Sequence, residues 1–462
     1  MDRRQLLTAG LPLALAASGA AAPLNAAEPA GKTPLFPEDA QFWFETVRMF
    51  GADEYGGASF GEVLATSEKI TAGDYDSWYD AWNGIADRIA SQGDGQLAKG
   101  HRISARDSYL RACNYYRSSE FFLHATPKDP RVARAYRRSV DCYKTAAKLY
   151  DPPIKPVEIP YEHTTLPGYL HRPDGSSRPR PLLIMHTGFD GSAEENHWNG
   201  ARAAVERGYQ VLSFDGPGQF GPIHREGLPF RPDWEKVVAP VVDFALKQRG
   251  VDPKRIVLMG ASMGGELAPR AAAFEPRLAA LVANDGLYDY AAPYFATIPQ
   301  GQRAKVIALV KAGPSPMIDG FLEGAMKSSP VARWSIIHGM YCFGASSPSA
   351  YLHAATAYTL ADGVAERVRC PTLVCDAEGD LFFKGQPQQL YDHLTCKKTL
   401  MTFKVEDGAG AHCEVGASRY AFARILDWVD ETIGRTGKPL QPAEAQRRNR
   451  PTALGLPTAA KH

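Results

Sequence analysis

One short stretch restricts what this chain can become more than any other. The apolar run Ile256-Val257-Leu258 ends abruptly in Gly260-Ala261-Ser262-Met263-Gly264-Gly265, and the helix-forming Glu266-Leu267-Ala268 follows at once. A strand that stops and becomes a helix within a few residues needs a very tight turn. Small residues two before and two after the serine avoid clashes there, and the strained backbone leaves Oγ exposed at the helix N-terminus. This G-x-S-x-G is the pattern of a nucleophile elbow, with Ser262 as the candidate nucleophile. The Met263 N–H, at the same helix end, lies where an oxyanion would form. The competing reading is a glycine-rich βα turn with an incidental serine; a base and an acid downstream decide between the two.

At 462 residues the chain can bury a large core, and length alone allows more than one domain. Its 52 basic and 51 acidic side chains leave a net charge of +1, which points to neither nucleic acid nor an acidic partner. Met1-Asp2-Arg3-Arg4 precedes an apolar, Ala/Leu-rich stretch to Ala22, with small residues around Asn25-Ala26-Ala27. Residues 1–27 therefore read as a signal peptide, and the paired arginines as the twin-arginine route, with a general secretory signal or a retained anchor as competitors. The protein is expected to be periplasmic or secreted, with no stable membrane insertion after cleavage. The seven cysteines are scattered and show no C-x-x-C, so free buried thiols rather than a disulfide framework are expected. With no H-E-x-x-H, EF-hand loop, Walker loop or paired Cys/His cluster, the sequence predicts no metal, no nucleotide and no other cofactor.

Residues 28–37 read as a linker, and residues 38–150 as a helical domain. Trp78, Trp82, Ile85 and Ile89 fall at i, i+4, i+7 and i+11, a single apolar stripe. Asp129-Pro130 opens a later helix in the N-cap and N1 positions. Most of this segment's aromatics are expected to pack, a few to face a ligand. Asp151-Pro152-Pro153 marks a boundary, beyond which strands alternate with helices, the signature of a mostly parallel sheet covered on both faces. The expected order is a hairpin (155–161 and 168–172), a strand at 181–186 with a helix at 196–207, a strand at 209–214 and a helix at 233–248. The elbow strand comes next, then strands at 278–283, 371–376 and 399–405 and a helix at 420–432. This α/β domain spans residues 151–435, an insertion at about 286–368 forms a lid or side domain, and residues 436–462 read as a disordered tail.

A serine hydroxyl needs a base to take its proton, and the base needs an acid to hold its tautomer. In a doubly wound hydrolase these come in the order serine, acid, histidine. The strand Thr372-Leu373-Val374-Cys375 runs into Asp376-Ala377-Glu378-Gly379-Asp380, at the ligand-facing rim of such a sheet. Asp380 is the preferred acid, and Asp376 and Glu378 read as turn formers or ion-pair partners. His412, in the loop Gly408-Ala409-Gly410-Ala411-His412, is alone among 12 histidines in having the right setting for the base; His101, His338 and His353 read as structural or pocket-lining. The second oxyanion donor is assigned to the loop after residues 181–186, with the Phe189 N–H first and Gly188 second. Asp190, Glu194 and Glu195 read as residues that hold that loop.

These residues carry a likeness. Gly73-Asp74 through Ser77-Trp78 to Trp82, and Tyr109-Leu110-Arg111 through Asn114 to Arg117, resemble the helical cap of the 2,6-dihydroxypseudooxynicotine hydrolase group. Asp215-Gly216-Pro217-Gly218-Gln219, Ser262-Met263-Gly264-Gly265, Cys370-Pro371-Thr372 and the His412-Cys413-Glu414 loop also resemble that group and the related fungal pigment-pathway polyketide-shortening hydrolases. The likeness covers roughly residues 40–433. It implies an α/β-hydrolase fold, a mostly parallel doubly wound sheet with an N-terminal helical cap domain. It also implies cleavage of a carbon–carbon bond beside a carbonyl in a small molecule, often by a homodimer. It further implies an additional glutamate after the strand that follows the elbow, whereas residues 286–302 hold no glutamate and only Asp289. The expected activity is a serine hydrolase forming an acyl-enzyme on an aromatic or β-diketone-like substrate. A carboxylesterase or acyl-aminopeptidase, and a non-catalytic binding protein of the same fold, are the rivals.

Overall fold

The computed structural model describes residues 33–435. The signal peptide expected at 1–27, the first part of the linker and the tail expected at 436–462 lie outside the described residues. Among the described residues no helix is long and apolar enough to cross a membrane.

Eight strands form one sheet in the order β1-β2-β4-β3-β5-β6-β7-β8. They are β1 Lys155–Tyr161, β2 Thr164–His171, β3 Arg180–His186, β4 Gln210–Phe214, β5 Val251–Ala261, β6 Ala280–Asn284, β7 Thr372–Ala377 and β8 Lys398–Phe403. β1 and β2 are an antiparallel hairpin and β2 runs antiparallel to β4; every other neighbouring pair is parallel. The register places Ile184 of β3 opposite Leu258 of β5, and Ala261 of β5 opposite Asn284 of β6. All five residues of β4 and all five of β6 are buried, as expected of strands covered on both faces.

The two-residue period of a strand divides the core between the faces. Leu182, Ile184, Leu212, Ile256, Leu258 and Leu281 join one apolar cluster, which the helices Glu235–Leu246 and Gly264–Ala272 cover and which runs on into the N-terminal helices. Their neighbours Leu183, Met185, Val211, Val257, Met259 and Val282 face the other way, under Ala201–Glu206 and Ser418–Thr432. A one-residue slip of any central strand would exchange the two sets, but both faces are apolar, so register depends on side-chain shape as well as polarity.

Residues 40–148 contain the helices Ala40–Gly51, Phe60–Ser67, Tyr75–Ala98, Arg102–Glu120 and Pro130–Lys148. Trp78, Trp82, Ile85 and Ile89 are all buried along Tyr75–Ala98. Asp129 caps Pro130–Lys148 by accepting the Arg131 N–H, with Pro130 at N1. Between β6 and β7 lie Ala292–Phe295, Gln300–Lys311, Pro316–Ser328, Pro330–Cys342 and Pro348–Ala355. Three of them follow a Ser-Pro junction, where the serine has an extended backbone and proline fits a position whose N–H would be unpaired anyway.

One local expectation differs from the structure, and one helix was not expected. The single helix read at 196–207 is a short turn, Glu195–His197, then the helix Ala201–Glu206. Gly200 separates them at φ 121°, where a Cβ would meet the Phe422 ring at 2.6 Å, so the close approach to Ser418–Thr432 breaks the helix. The crossover from β7 to β8 contains a helix, Gln386–His393, whose largely polar sequence gave no apolar period.

Candidate active site

The elbow forms at the carboxyl end of β5. Ser262 sits at φ 61°, a left-handed backbone that costs a non-glycine residue about 1–3 kcal/mol and persists only where its surroundings enforce it. They do: the Ser262 N–H donates to Asn284 O at 3.0 Å, and the Gly265 N–H donates to Ser262 O at 2.6 Å. The glycines are sterically required. A Cβ on Gly260 would lie 2.0 Å from Gly264 O, and one on Gly265 would lie 2.4 Å from Asp285 O.

His412 arrives from the loop after β8, in a turn where Cys413 and Glu414 both have φ 53°. Its Nε2 lies 2.8 Å from Ser262 Oγ and its Nδ1 lies 3.0 Å from Asp380 Oδ2. Asp380 follows β7 and also accepts the Phe382 N–H at 2.7 Å, which fixes its carboxylate. The structure thus brings together the three side chains singled out in the sequence. Asp376 stays half-buried at the end of β7, and Glu378 accepts the Val405 N–H at 2.9 Å.

One acid was not anticipated. Asp285 immediately follows β6, and its Oδ2 lies 2.8 Å from His412 Nδ1, nearer than Asp380. The hydrogen-bond geometry belongs to Asp380, while Asp285 Oδ2 accepts the Cys413 N–H. Asp285 lies one residue before the 286–302 stretch, and its place directly after the strand that follows the elbow is the signal for it in the sequence. Burial pushes the Asp285 carboxyl up, an effect that the His412 charge opposes and Asp380 reinforces. Burial also pushes Glu414, the next carboxyl in the cluster, well above the usual range. For His412, burial favours the neutral ring, but Asp380 first, then Cys413 and Asp285, outweigh it and hold the imidazole well above its ordinary pKa.

The loop after β3 faces Ser262. Gly188 approaches so closely that a Cβ there would lie 2.5 Å from the Met263 nitrogen, which makes Gly188-Phe189 and Met263 neighbours at the elbow. Met263 is the N-cap of Gly264–Ala272, its side chain buried in the core. Side chains from several elements fix the loop carbonyls, and with them the direction of the amides. Gln219 Nε2 donates to Thr187 O at 2.6 Å and to Gly188 O at 3.3 Å; His338 Nε2 donates to Phe189 O at 3.0 Å; Arg117 donates to Asp190 O. Arg48 bridges Asp190 at 2.6 Å and Glu195 at 2.9 Å, and Arg117 reaches Glu195 at 2.9 Å, so Asp190 and Glu195 do hold the loop. Glu194 accepts the Tyr169 hydroxyl at 2.6 Å, on the same loop. His353 Nδ1 meets Val310 O at 3.0 Å, away from Ser262, and His101 is the N-cap of Arg102–Glu120.

Above Ser262 and His412 is a cavity of about 130 Å³ whose walls include Phe44, Phe189, Tyr290, Tyr294, Trp334 and Phe382. Of these only Phe44 comes from the N-terminal helices. Tyr290, Tyr294 and Trp334 belong to the segment between β6 and β7, which thus supplies three of these six rings. The Tyr290 and Tyr294 hydroxyls pair with the Tyr351 hydroxyl at 2.8 and 2.7 Å, which holds both rings in place. A paired nucleophile and base beneath an aromatic-lined, partly closed chamber suit acyl transfer to a small molecule shielded from water.

The model of the alpha/beta hydrolase family matches residues 182–416. The chain is 34% identical over 427 residues to Hydrolase LUC6 of a Fusarium species, across 87% of this chain and 98% of that protein. It is 33% identical over 419 residues to the 20-hydroxy-prefusarin hydrolase FUS2 of Gibberella moniliformis, across 85% and 96%. Among solved structures, 2,6-dihydroxy-pseudo-oxynicotine hydrolase shares the fold with a TM-score of 0.66 at 23% identity, over 84% of this chain and 98% of that one.

Proposed function

The chain belongs to the alpha/beta hydrolase family, and from that premise we propose that it is a serine hydrolase cleaving a carbon–carbon bond beside a carbonyl in an aromatic or β-diketone-like small molecule. The reading rests on the contact of Ser262 Oγ with His412 Nε2, 2.8 Å, at the floor of the aromatic cavity. Ser262 Oγ attacks the substrate carbonyl as its proton passes to His412 Nε2. Asp380 keeps the Nδ1 proton in place and stabilises the imidazolium. The Phe189 and Met263 N–H groups hold the tetrahedral oxyanion. Collapse breaks the carbon–carbon bond, and the electron pair leaves as an enolate or phenolic carbanion equivalent, to which His412 returns the proton. Water, deprotonated by His412, then hydrolyses the ester on Ser262. A base whose pKa is raised by neighbouring carboxylates retains the proton until carbon can take it. The resemblance to the 2,6-dihydroxypseudooxynicotine hydrolase group, together with the aromatic side chains that line the cavity, supports this substrate class. The twin-arginine-like pattern of residues 1–27 supports export to the periplasm or medium, which cell fractionation tests.

An aryl β-diketone, a p-nitrophenyl ester and an aminoacyl amide assayed side by side test the reading. The diketone should be cleaved, and Ser262→Ala should lower turnover by roughly 10⁴-fold or more with the fold intact. Ester turnover without diketone cleavage would make the protein a carboxylesterase. Failure of a fluorophosphonate to label Ser262 would remove the serine mechanism altogether.

A further inference from the structure

A second cluster of chemically capable side chains lies where the N-terminal helices, the segment between β6 and β7 and the sheet domain meet. Glu120 ends the helix Arg102–Glu120, His124 follows one turn later, and His224 comes from the helix Phe220–Glu226 after β4. Glu120 and His124 are buried, and the His224 side chain is 4% exposed.

Their hydrogen bonds fix which nitrogen carries a proton. Phe189 O can only accept, so His338 Nε2, 3.0 Å away, donates to it; the Cys342 thiol beside that nitrogen is a weaker donor to the same carbonyl, at 3.8 Å. In a ring with one proton, His338 Nδ1 then presents a lone pair. That atom lies 2.7 Å from His124 Nδ1, which must therefore donate. The His124 Nε2 lone pair is left facing a Glu120 oxygen at 2.5 Å. His224 repeats the pattern: its Nδ1 donates to Phe220 O at 2.7 Å, which leaves Nε2 with a lone pair, no partner and a separation of 3.7 Å from the same Glu120 oxygen. Three possible ligand atoms thus converge, all within 4.8 Å of one another. A single proton can bridge Glu120 and His124, but it leaves His224 Nε2 buried and unsatisfied, which is costly.

We propose that Glu120, His124 and His224 bind one divalent transition-metal ion, zinc by the chemistry of the set, through Oε2 and the two Nε2 atoms. Two imidazoles and a carboxylate are a common zinc donor set. Tetrahedral ligands at zinc bond lengths stand about 3.3 Å apart; the two imidazole nitrogens lie 2.5 and 3.7 Å from Glu120 Oε2 and all three atoms lie within 4.8 Å, so small side-chain shifts bring the set to that spacing. Both imidazoles already have the outer hydrogen bond that orients metal-ligating histidines. His124 stacks on Tyr341 at 4.5 Å and His224 on Tyr136 at 4.7 Å, which locks both rings. An adjoining cavity of about 10 Å³, bounded by all three residues, has room for one water as fourth ligand. On binding, the proton between Glu120 and His124 leaves to solvent and the metal takes its place. The ion would fasten three parts of the chain together and, through His338, steady the carbonyl of Phe189.

The test uses the full-length folded protein, stripped with dipicolinate and titrated with Zn²⁺ against a chromogenic chelator. One zinc per chain with Kd below about 10 µM is expected, and Co²⁺ should give the visible absorption of a tetrahedral site. His224→Ala and Glu120→Gln should each weaken binding at least about tenfold; the second keeps the side chain's shape if the first does not fold. Weaker wild-type binding, an octahedral Co²⁺ spectrum, or variants that bind zinc within tenfold of the wild type would overturn the site and leave an imidazolium–carboxylate pair in its place.

Discussion

Gly188→Ala tests how the loop after β3 and the elbow depend on each other. The new Cβ would lie 2.5 Å from Met263 N, 2.7 Å from Gly264 N and 2.8 Å from Ala261 O. All three are backbone atoms of the elbow, so none can swing aside as a side-chain tip would. The contacts fall roughly 0.5–1 Å short of ordinary separation, and the loop must withdraw by a comparable amount. Phe189 is the next residue, so its N–H withdraws too and leaves the donor range of about 2.7–3.1 Å that an oxyanion needs. Loss of one such donor lowers kcat by about 10²–10³, or about 2.7–4 kcal/mol. The assay is steady-state turnover of a p-nitrophenyl ester with thermal melting alongside, and kcat should fall while KM changes little. A folded variant with kcat within about threefold of the wild type would refute the placement of the oxyanion donors.

Asp285→Asn removes a negative neighbour that raises the His412 pKa, so the neutral base should appear at lower pH and the acid limb of kcat/KM should move down; an unmoved limb would mean that Asp285 does not act on His412. Arg117→Met strips a buried cation from Glu195, and both side chains are 2% exposed. It should cost about 3 kcal/mol by urea denaturation, the low end for a broken buried pair because Arg48 still reaches Glu195. Gly84→Ala, in the middle of Tyr75–Ala98 with nothing within 4 Å of the added methyl, should stabilise the protein by about 0.5–1 kcal/mol and leave turnover unchanged.

Much of the sheet was legible because its signals are local. Short apolar runs bounded by turns marked the strands to within a few residues, and Asp129-Pro130 marked a helix start by capping chemistry alone. The helix expected at 196–207 failed because its break at Gly200 is imposed by Phe422, a residue far along the chain. Gln386–His393 was missed because half-exposed polar helices carry little periodicity.

The sequence by itself determined the elbow and the order of Ser262, Asp380 and His412, because turn sterics and strand-end positions are properties of short segments. Only the tertiary structure decided that Asp285 shares His412 Nδ1 with Asp380, that the segment between β6 and β7 supplies Tyr290, Tyr294 and Trp334 to the cavity, and that Glu120 and His124 meet His224. Those meetings depend on which strands lie side by side and how the intervening loops cross them, and no window of neighbouring residues carries that information.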